Sequence, residues 1–518
     1  MARKPETGRP ARARKSAETG GTPPKKTRGK ARKAGDGGAR IRVRMYRQGL
    51  GDCFLVSLLG QAKDDFHLMI DCGVLPGTPD AGERMKAVVA SIAETTGGRV
   101  DVLAVTHEHY DHVAGFLLAE ALFAAPGEPP SPGKLAVGEV WFAWTEDPEN
   151  AEARRLRADR VAKLGALAGL AQRIGRMSDA ERAAAGIPDE DAEPALAALA
   201  FFGISGLGKD MGDDLGATAK AMAKAASLAP AGKLAYRRPG EVLEPRSAPG
   251  LRIYILGPPD DAQALGTTDS ATAVYHIGED SLLDVVRLAA VPGGGGGPRF
   301  TPFAPAWTRP LAEVMAGHEA GPLREFLSEH YFGSPVPTPG TDIAWRRIDR
   351  DWLNDAGSLG MALDSATNNT SLAMAIELTG SGAVLLFPAD AQVGSILSWH
   401  ALDWGAAGPG ITTDDLLRRT VFYKVGHHGS RNATLKEREL ELMPREGLAA
   451  FIPVDRAAAR KRGWGGMPEP KLVEALRARC GNRLALLDED LPEGAEGMAA
   501  GPDGGPYGSL YYDWTMKL

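Results

Sequence analysis

The pattern of apolar and polar positions along the chain predicts two β-rich blocks. In each block, short runs either alternate apolar and polar residues or are apolar throughout, and turn residues separate them, as is typical of β-strands. The runs of the first block are residues 41–46, 53–59, 67–71 and 100–106, and those of the second are residues 371–378, 383–387, 421–425, 448–453 and 483–487. Two such blocks are consistent with two packed sheets.

The pattern changes between the two blocks and predicts insertions. Residues 150–230 are rich in Ala, Leu, Lys and Arg with mostly helical spacing, as in a cap over a sheet, and residues 251–259 predict a return to the sheet. Residues 262–360 are less regular. Their run Gly293–Gly297 is interpreted as a surface loop rather than a phosphate cradle, because no Gly-Lys-Ser/Thr sequence follows it. Helices are also predicted at 85–93 and 470–479.

The composition narrows the setting in which the protein works. Hydrophobic residues make up 43% and charged residues 24% of the chain, as in a globular protein, and we find neither an apolar run of membrane-spanning length nor a secretory signal. We therefore expect a cytoplasmic protein without a membrane span. The three cysteines, Cys53, Cys72 and Cys480, are too few and too scattered for a disulfide framework or a thiolate zinc site. Any metal should therefore be held by nitrogen and oxygen.

The charge is distributed unevenly along the chain. Residues 1–40 carry 13 Lys and Arg against 3 acidic residues, a net charge of +10, whereas the remainder carries 47 basic and 63 acidic residues, a net charge of −16. The segment 1–40 lacks apolar periodicity, so we expect a disordered tail. It is either a solubilising arm or a tether for nucleic acid.

A histidine-rich loop follows the predicted buried strand at residues 100–106. In an extended segment, side chains two positions apart point the same way, so His107 and His109 can hold a single ion. Asp111 and His112 are adjacent and diverge, which suits a second ion beside the first. This spacing of ligand types indicates a metal site with two ions.

Further ligands are expected at other strand ends. Asp390 follows an apolar run, where its carboxylate could bridge two metals with one oxygen to each; the alternative is a helix N-cap. The pair His427–His428 lies in a glycine-flanked loop after another strand, and at least one of the two is predicted to be a ligand. Asp71 either orients a ligand histidine or is a structural residue at a strand end.

Taken together, these motifs resemble those of the metallo-β-lactamase superfamily and, more narrowly, of the hydrolase domain of the DNA-uptake protein ComEC and its soluble relatives. The resemblance covers about residues 41–120 and 365–490. Besides the His107–His112 loop, the matching segments are Gly49-Leu-Gly-Asp52, Ile70-Asp-Cys-Gly73, Asn368-Asn-Thr-Ser371-Leu372, Pro388-Ala-Asp390-Ala391 and Tyr423-Lys-Val-Gly-His-His-Gly-Ser430.

The resemblance implies an α/β fold, namely the αββα four-layer sandwich of the metallo-β-lactamases with large, mostly helical insertions. After the tail at 1–40, one domain would span residues 41–518. Its core would comprise about residues 41–145, 250–260 and 365–518, and its insertions about residues 150–230 and 262–360.

The resemblance also implies roles for individual residues. His107 and His109 would hold the first metal, Asp111 and His112 the second, and Asp390 would bridge them. His428 would complete the second site, although the reverse order of the histidine pair is compatible with the motif. The catalytic residues would be Asp111 and His427. Asn368 and Ser430 would bind substrate. The alternatives for Asn368 are a weak oxygen ligand and a turn-initiating residue. Asp71 would support a ligand histidine.

Many members of the superfamily have a further histidine on the first metal. The histidines between His112 and Asp390 are His276, His318 and His330, and none of them lies at a predicted strand end. We therefore expect the first metal to be held less firmly than the second.

The expected cofactors are two divalent metal ions, with zinc as the first choice and manganese or iron as alternatives. Two such ions can share a hydroxide and polarise the oxygen under attack, so no serine or cysteine nucleophile is needed. The expected reaction is hydrolysis of a phosphodiester in a nucleotide or nucleic acid, as by a phosphodiesterase or nuclease. The alternatives are a metallo-hydrolase of a lactone, ester or β-lactam, and a non-catalytic binding module on the same fold.

Overall fold

In a computed structural model of the protein, the alternating segments of the chain form β-strands. The structure describes residues 38–60, 64–176, 178, 202, 216–267, 314, 321–332, 351–444 and 446–518. The strands are β1 (Arg40–Tyr46), β2 (Phe54–Leu59), β3 (Phe66–Ile70), β4 (Arg99–Ala104), β5 (Ala136–Ala143), β6 (Leu234–Arg237), β7 (Val242–Leu243), β8 (Leu251–Ile255), β9 (Met374–Leu378), β10 (Ala383–Phe387), β11 (Thr420–Lys424), β12 (Ala449–Ile452), β13 (Leu484–Leu486), β14 (Met498–Ala500), β15 (Asp503–Gly505), β16 (Gly508–Ser509) and β17 (Tyr511–Lys517).

Helices connect or flank these strands. Within the described ranges they are α1 (Ala81–Thr96), α2 (Tyr110–Val113), α3 (Gly115–Leu118), α4 (Ala151–Arg176), α5 (Ala217–Ser227), α6 (Ala262–Gly266), α7 (Gly321–Leu327), α8 (Asp351–Asn368), α9 (Val393–Trp399), α10 (Thr413–Arg418), α11 (Arg456–Lys461) and α12 (Pro470–Cys480). None of them is both long enough and apolar enough to span a membrane.

The strands belong to two large sheets, each with a parallel half. The first has the order β14-β17-β1-β2-β3-β4-β5-β6, and β3 to β6 are parallel neighbours. The second has the order β13-β12-β11-β10-β9-β8-β7, and β10 to β13 are parallel neighbours. Because parallel strands end at the same edge of a sheet, the loops after β3 and β4, and likewise those after β10 and β11, lie side by side.

One hydrophobic core joins the two sheets. It contains Val43 and Phe54 from the first sheet together with Phe387 and Phe422 from the second, and the rings of Phe54 and Phe387 are 6.0 Å apart. Two further cores lie between the sheets and the helices. Met85 of α1 packs with the first sheet, while the second core includes Trp399, Leu476, Leu167 of α4 and Leu363 of α8.

The structure confirms a mixed α/β fold with more than one sheet and adds strands that the sequence analysis did not identify. These are β5, β6, β7 and β14 to β17. The clearest case is β17, which pairs with β1 along seven residues, from Arg40↔Lys517 to Tyr46↔Tyr511. The first helix, α1, is longer at both ends than the predicted 85–93.

Parts of the predicted insertions and the tail lie outside the described residues. Helices α4 and α5 lie in the first insertion, and α6, α7 and the first part of α8 in the second. Residues 1–37 and the run Gly293–Gly297 fall outside the description, so the disordered tail and the surface loop remain predictions. The described compact unit begins at Gly38.

Candidate metal centre

Side chains from several strand ends converge at one buried place. Asp71 follows β3, the histidine loop follows β4, Asp390 follows β10, and the histidine pair follows β11. The two sheets meet at this place. His112 follows a strand of the first sheet and Asp390 a strand of the second, and Nε2 of His112 lies 3.1 Å from Oδ2 of Asp390. Asp71, His107, Asp111 and His428 are fully buried, and so are the other two ligand candidates of the loop, His109 and His112, to within 1%.

Close backbone packing shapes the histidine loop. The carbonyl of Asp111 accepts a hydrogen bond from the backbone N–H of Asp52 (2.9 Å), and the carbonyl of His112 accepts one from Cys72 (2.8 Å). Gly73 lies so close to the Asp111 carbonyl that any side chain there would overlap it. The sequence Ile70-Asp-Cys-Gly73 therefore needs its glycine to bring β3 and the loop together.

Four of the predicted ligands form one cluster of donor atoms. The donors of Asp111, His112, Asp390 and His428 all lie within 4.8 Å of one another. Nε2 of His428 is 2.9 Å from Oδ2 of Asp111 and 3.5 Å from Oδ2 of Asp390. The other oxygen of Asp111, Oδ1, is buried and has no hydrogen-bond partner among the described residues. Two imidazoles and two carboxylates with an unsatisfied buried oxygen fit a divalent ion such as Zn²⁺, Mn²⁺ or Fe²⁺.

The far nitrogens of three histidines are held by oxygen atoms. Nδ1 of His112 donates to Oδ2 of Asp71 (2.8 Å), and Nδ1 of His428 donates to the carbonyl of Pro453 (2.9 Å). The Thr106 hydroxyl donates to Asp71 (2.7 Å), so its oxygen can accept from Nδ1 of His107, 3.0 Å away. With Nδ1 engaged in this way, a neutral ring presents an unprotonated Nε2 that can bind a metal.

His107 and His109 form a separate pair. Nε2 of His107 is 3.0 Å from Nδ1 of His109, close to the separation of about 3.3 Å for two nitrogens on one tetrahedral zinc ion. The described residues contain two groups of three or more mutually close donors, and neither includes His107 or His109. His330 is half-exposed in the turn Ser328–Phe332, whereas His276 and His318 lie outside the description.

Burial and charge act in opposite directions on these imidazoles. Burial lowers the pKa of His109 to about 3 and of His427 to about 4, which keeps both rings neutral, the form that binds metal or donates one hydrogen bond. Burial also acts to lower the pKa of His112. The surrounding carboxylates, Asp390 first among them, outweigh it and raise that pKa well above the ordinary value. A divalent cation at this position would satisfy the same carboxylates in place of the proton.

Lys424 is a site residue that sequence reasoning missed. Its buried ammonium group lies 2.6 Å from Oδ2 of Asp52 and 3.0 Å from Oδ1 of Asp390, and it donates to the carbonyl of Ala389. Lys424 thus contacts Oδ1 of Asp390, whereas Oδ2 faces His112 and His428. The bridging role of Asp390 stays a prediction. The cap interpretation of Asp390 is wrong, because Gln392 is the N-cap of α9.

The two histidines of the pair have different surroundings. Both have left-handed backbone conformations, with φ of 41° at His427 and 52° at His428, which turns successive rings in different directions. His428 belongs to the donor cluster. His427 does not: its Nδ1 is 2.7 Å from the hydroxyl of Ser430 and its Nε2 is 3.4 Å from the amide nitrogen of Asn368.

The last turn of α8 brings two polar residues to the site. Asn368, the final residue of the helix, contacts His427. Asp364, four residues earlier, was not identified from the sequence, and its Oδ1 lies 3.8 Å from Nε2 of His109. The available signal was the spacing of the two residues, since positions i and i+4 share one face of a helix.

Comparisons with known proteins agree with this picture for part of the chain. Residues 46–166 match the family model of the metallo-beta-lactamase superfamily, whose members are generally hydrolases that bind divalent metals. The matched segment contains Asp71 and the whole His107–His112 loop. No curated protein matches the chain.

Proposed function

We propose that this protein is a metal-dependent hydrolase built on the full αββα metallo-β-lactamase sandwich with helical insertions, and that it cleaves phosphodiesters. The observation that carries the hydrolase proposal is the buried cluster of Asp111, His112, Asp390 and His428, beside the pair His107 and His109. Four of these six residues lie in the segment that matches the superfamily model, and Asp390 and His428 close the cluster from the second sheet.

In this proposal His107 and His109 hold a first metal, and Asp111, His112, Asp390 and His428 hold a second. Divalent ions bound there would supply Lewis acidity to a substrate oxygen and make water easier to deprotonate near neutral pH. The ammonium group of Lys424 compensates the negative charges of Asp52 and Asp390. Its contact with Oδ1 of Asp390 keeps Oδ2 of that residue directed at the histidines.

The substrate would bind along His427, Asn368 and Ser430. The Ser430 hydroxyl lies 2.7 Å from Nδ1 of His427 and fixes the orientation of the ring. Asn368 supplies an amide group whose nitrogen lies 3.4 Å from Nε2 of His427. Neutral N–H and amide donors beside a metal pair suit the oxygens of a phosphate or carbonyl group.

The phosphodiester preference is the finer part of the proposal. It is supported by the motifs Asn368–Leu372 and Tyr423–Ser430, which resemble those of ComEC-like hydrolases. The tail of net charge +10 agrees with a nucleic-acid substrate, whereas the net charge of −16 on the rest of the chain favours a nucleotide or another small phosphodiester.

The proposal is tested with the full chain loaded with Zn²⁺ or Mn²⁺ and offered bis-p-nitrophenyl phosphate, a lactone and nitrocefin. We expect turnover of the phosphodiester, lowered at least about 100-fold in Asp111→Ala. The exposed Asp403→Ala is the matched control and should retain it. Turnover of the lactone alone would overturn the phosphodiester assignment. If protein purified without chelator takes up no divalent metal, the hydrolase proposal itself fails.

A further inference from the structure

Asp364 and Asn368 occupy successive turns at the end of α8 and face the metal centre together. The amide of Asn368 donates to Oδ2 of Asp364 at 3.2 Å. This contact leaves Oδ1 of Asp364 directed elsewhere: it lies 3.8 Å from Nε2 of His109, is buried, and has no hydrogen-bond partner in the ranges that the structure describes.

The two nitrogens of His109 face different partners. Nδ1 faces Nε2 of His107 at 3.0 Å, whereas Nε2 faces Asp364. The nitrogens of an imidazole ring point away from each other. A metal between His107 and His109 would therefore lie on one side of the ring and Asp364 on the other, so the geometry favours Asp364 as a support for the ring over a third ligand.

At two other histidines of the centre, the far nitrogen is hydrogen-bonded to an oxygen atom, a shorter contact than the 3.8 Å between Asp364 and His109. Nδ1 of His112 contacts Asp71, and Nδ1 of His428 contacts the carbonyl of Pro453. An oxygen atom on the far nitrogen fixes the orientation of a ligand histidine and makes it a better electron donor to the metal. Asp364 is in position to do this for His109.

We propose that Asp364 is a positioning residue for His109, so that the first metal site depends on the inserted helix α8. The inference rests on the proposed metal-dependent function. The C-terminal end of α8 would then have two functions. It would support a metal ligand through Asp364, and it would contact the substrate-facing residue His427 through Asn368.

The test measures metal binding directly. Metal-free full-length protein is titrated with Zn²⁺ in competition with a chromophoric chelator, and Co²⁺ absorption spectra report the coordination of each ion. We expect two Zn²⁺ per chain in the unsubstituted protein. In Asp364→Ala the weaker-binding ion should lose about 10- to 100-fold in affinity while the tighter one is unchanged. Asp364→Asn should recover part of the loss, because its amide oxygen can face Nε2 of His109 in the same position.

The matched control is Asp414→Ala. Asp414 also pairs with a histidine, His400, at 2.7 Å, but outside the metal centre, so its loss should leave both affinities unchanged. Two unchanged affinities in Asp364→Ala, or equal weakening of both sites, would overturn the inference while leaving the hydrolase proposal intact. If Asp364→Ala does not fold, Asp364→Leu takes its place, because leucine has a similar volume and no oxygen; unaltered affinities for both ions and an unaltered Co²⁺ spectrum in that variant overturn the inference. Absence of metal binding in the unsubstituted protein overturns both proposals.

Discussion

At the scale of single residues, Glu439 shows how burial near the centre controls ionisation. It is fully buried in the turn Lys436–Leu440, where its carboxyl group accepts hydrogen bonds from the Tyr423 hydroxyl (3.0 Å) and the backbone N–H of Leu435 (2.9 Å). Burial raises its pKa to about 7, because these two contacts compensate only part of the lost hydration. Tyr423 precedes Lys424 on β11, so Glu439 contacts the strand that carries this residue of the candidate metal centre.

We expect this acid to make the folded state less stable as the pH rises. A carboxyl group with a folded pKa above its unfolded pKa contributes stability that is fully present below the unfolded value and is lost as the pH rises through the folded value, here about 7. Glu439→Gln removes this dependence. Its free energy of unfolding relative to the unsubstituted protein should therefore increase by about 2 kcal/mol from pH 5.5 to pH 8.5.

Chemical denaturation at both pH values, with chelator present, measures the effect. Glu441→Gln is the matched control, because that side chain is 45% exposed, and its difference from the unsubstituted protein should not change over this range. A constant difference for Glu439→Gln would show that the acid is already ionised at pH 5.5.

At the scale of elements, helix α4 is attached to the histidine loop by a buried ion cluster. Arg160 of α4 lies 2.5 Å from Glu108, the residue between His107 and His109, and 3.4 Å from Glu146. Thr218 of α5 also donates to Glu108. Helices α4 and α5 therefore contact the loop through Glu108, whose side chain diverges from those of its neighbours His107 and His109.

Arg160→Met should destabilise the fold by about 3 kcal/mol, because it leaves two buried carboxylates without their cation. The matched control in the same helix is Arg155→Met. Arg155 is 62% exposed in its pair with Glu152, so its loss should cost less than about 1 kcal/mol. Urea denaturation of the two variants gives the comparison, and equal effects would mean that the buried cluster does not hold the helix.

At the scale of the whole molecule, the candidate metal centre lies where the two sheets meet. It concentrates four carboxylates in the interior, Asp52, Asp71, Asp111 and Asp390, each at most 2% exposed, and Lys424 contacts two of them. Divalent ions bound only by the folded state would neutralise this charge and stabilise the protein by mass action.

Chelator should therefore lower the thermal midpoint, and added Zn²⁺ should restore it. Free ion at 100 times its dissociation constant corresponds to about 2.7 kcal/mol of stabilisation. Differential scanning calorimetry with and without chelator measures the shift, and His428→Ala, which lacks one donor of the cluster, should respond much less. Identical midpoints for the unsubstituted protein in chelator and in Zn²⁺ would contradict a metal site in the folded interior.

The sequence was most informative where the determinants are local. The strand periods of β1 to β4 and β9 to β13 were readable because alternation and apolar runs depend on near neighbours. The loop His107–His112 was recognisable for the same reason: ligand types two and three positions apart are a property of six consecutive residues. Strand β17 was missed because its partner strand, β1, lies more than 460 positions away in the chain. Such a pairing is known only after the sheet has formed.

Tertiary structure decided which of these local features meet and how each group is used. His428 and Asp111 are 317 positions apart in the chain, and their contact at 2.9 Å, like the pairing of Lys424 with Asp52 and Asp390, depends on how the two sheets pack. Asp364 lies close to His109 only because of the position of α8 in the folded chain, so the sequence alone did not identify it. A sequence determines which donor types are available and their local spacing, whereas the distance between distant donors, and the hydration that each one loses, is set by the packing of the whole chain.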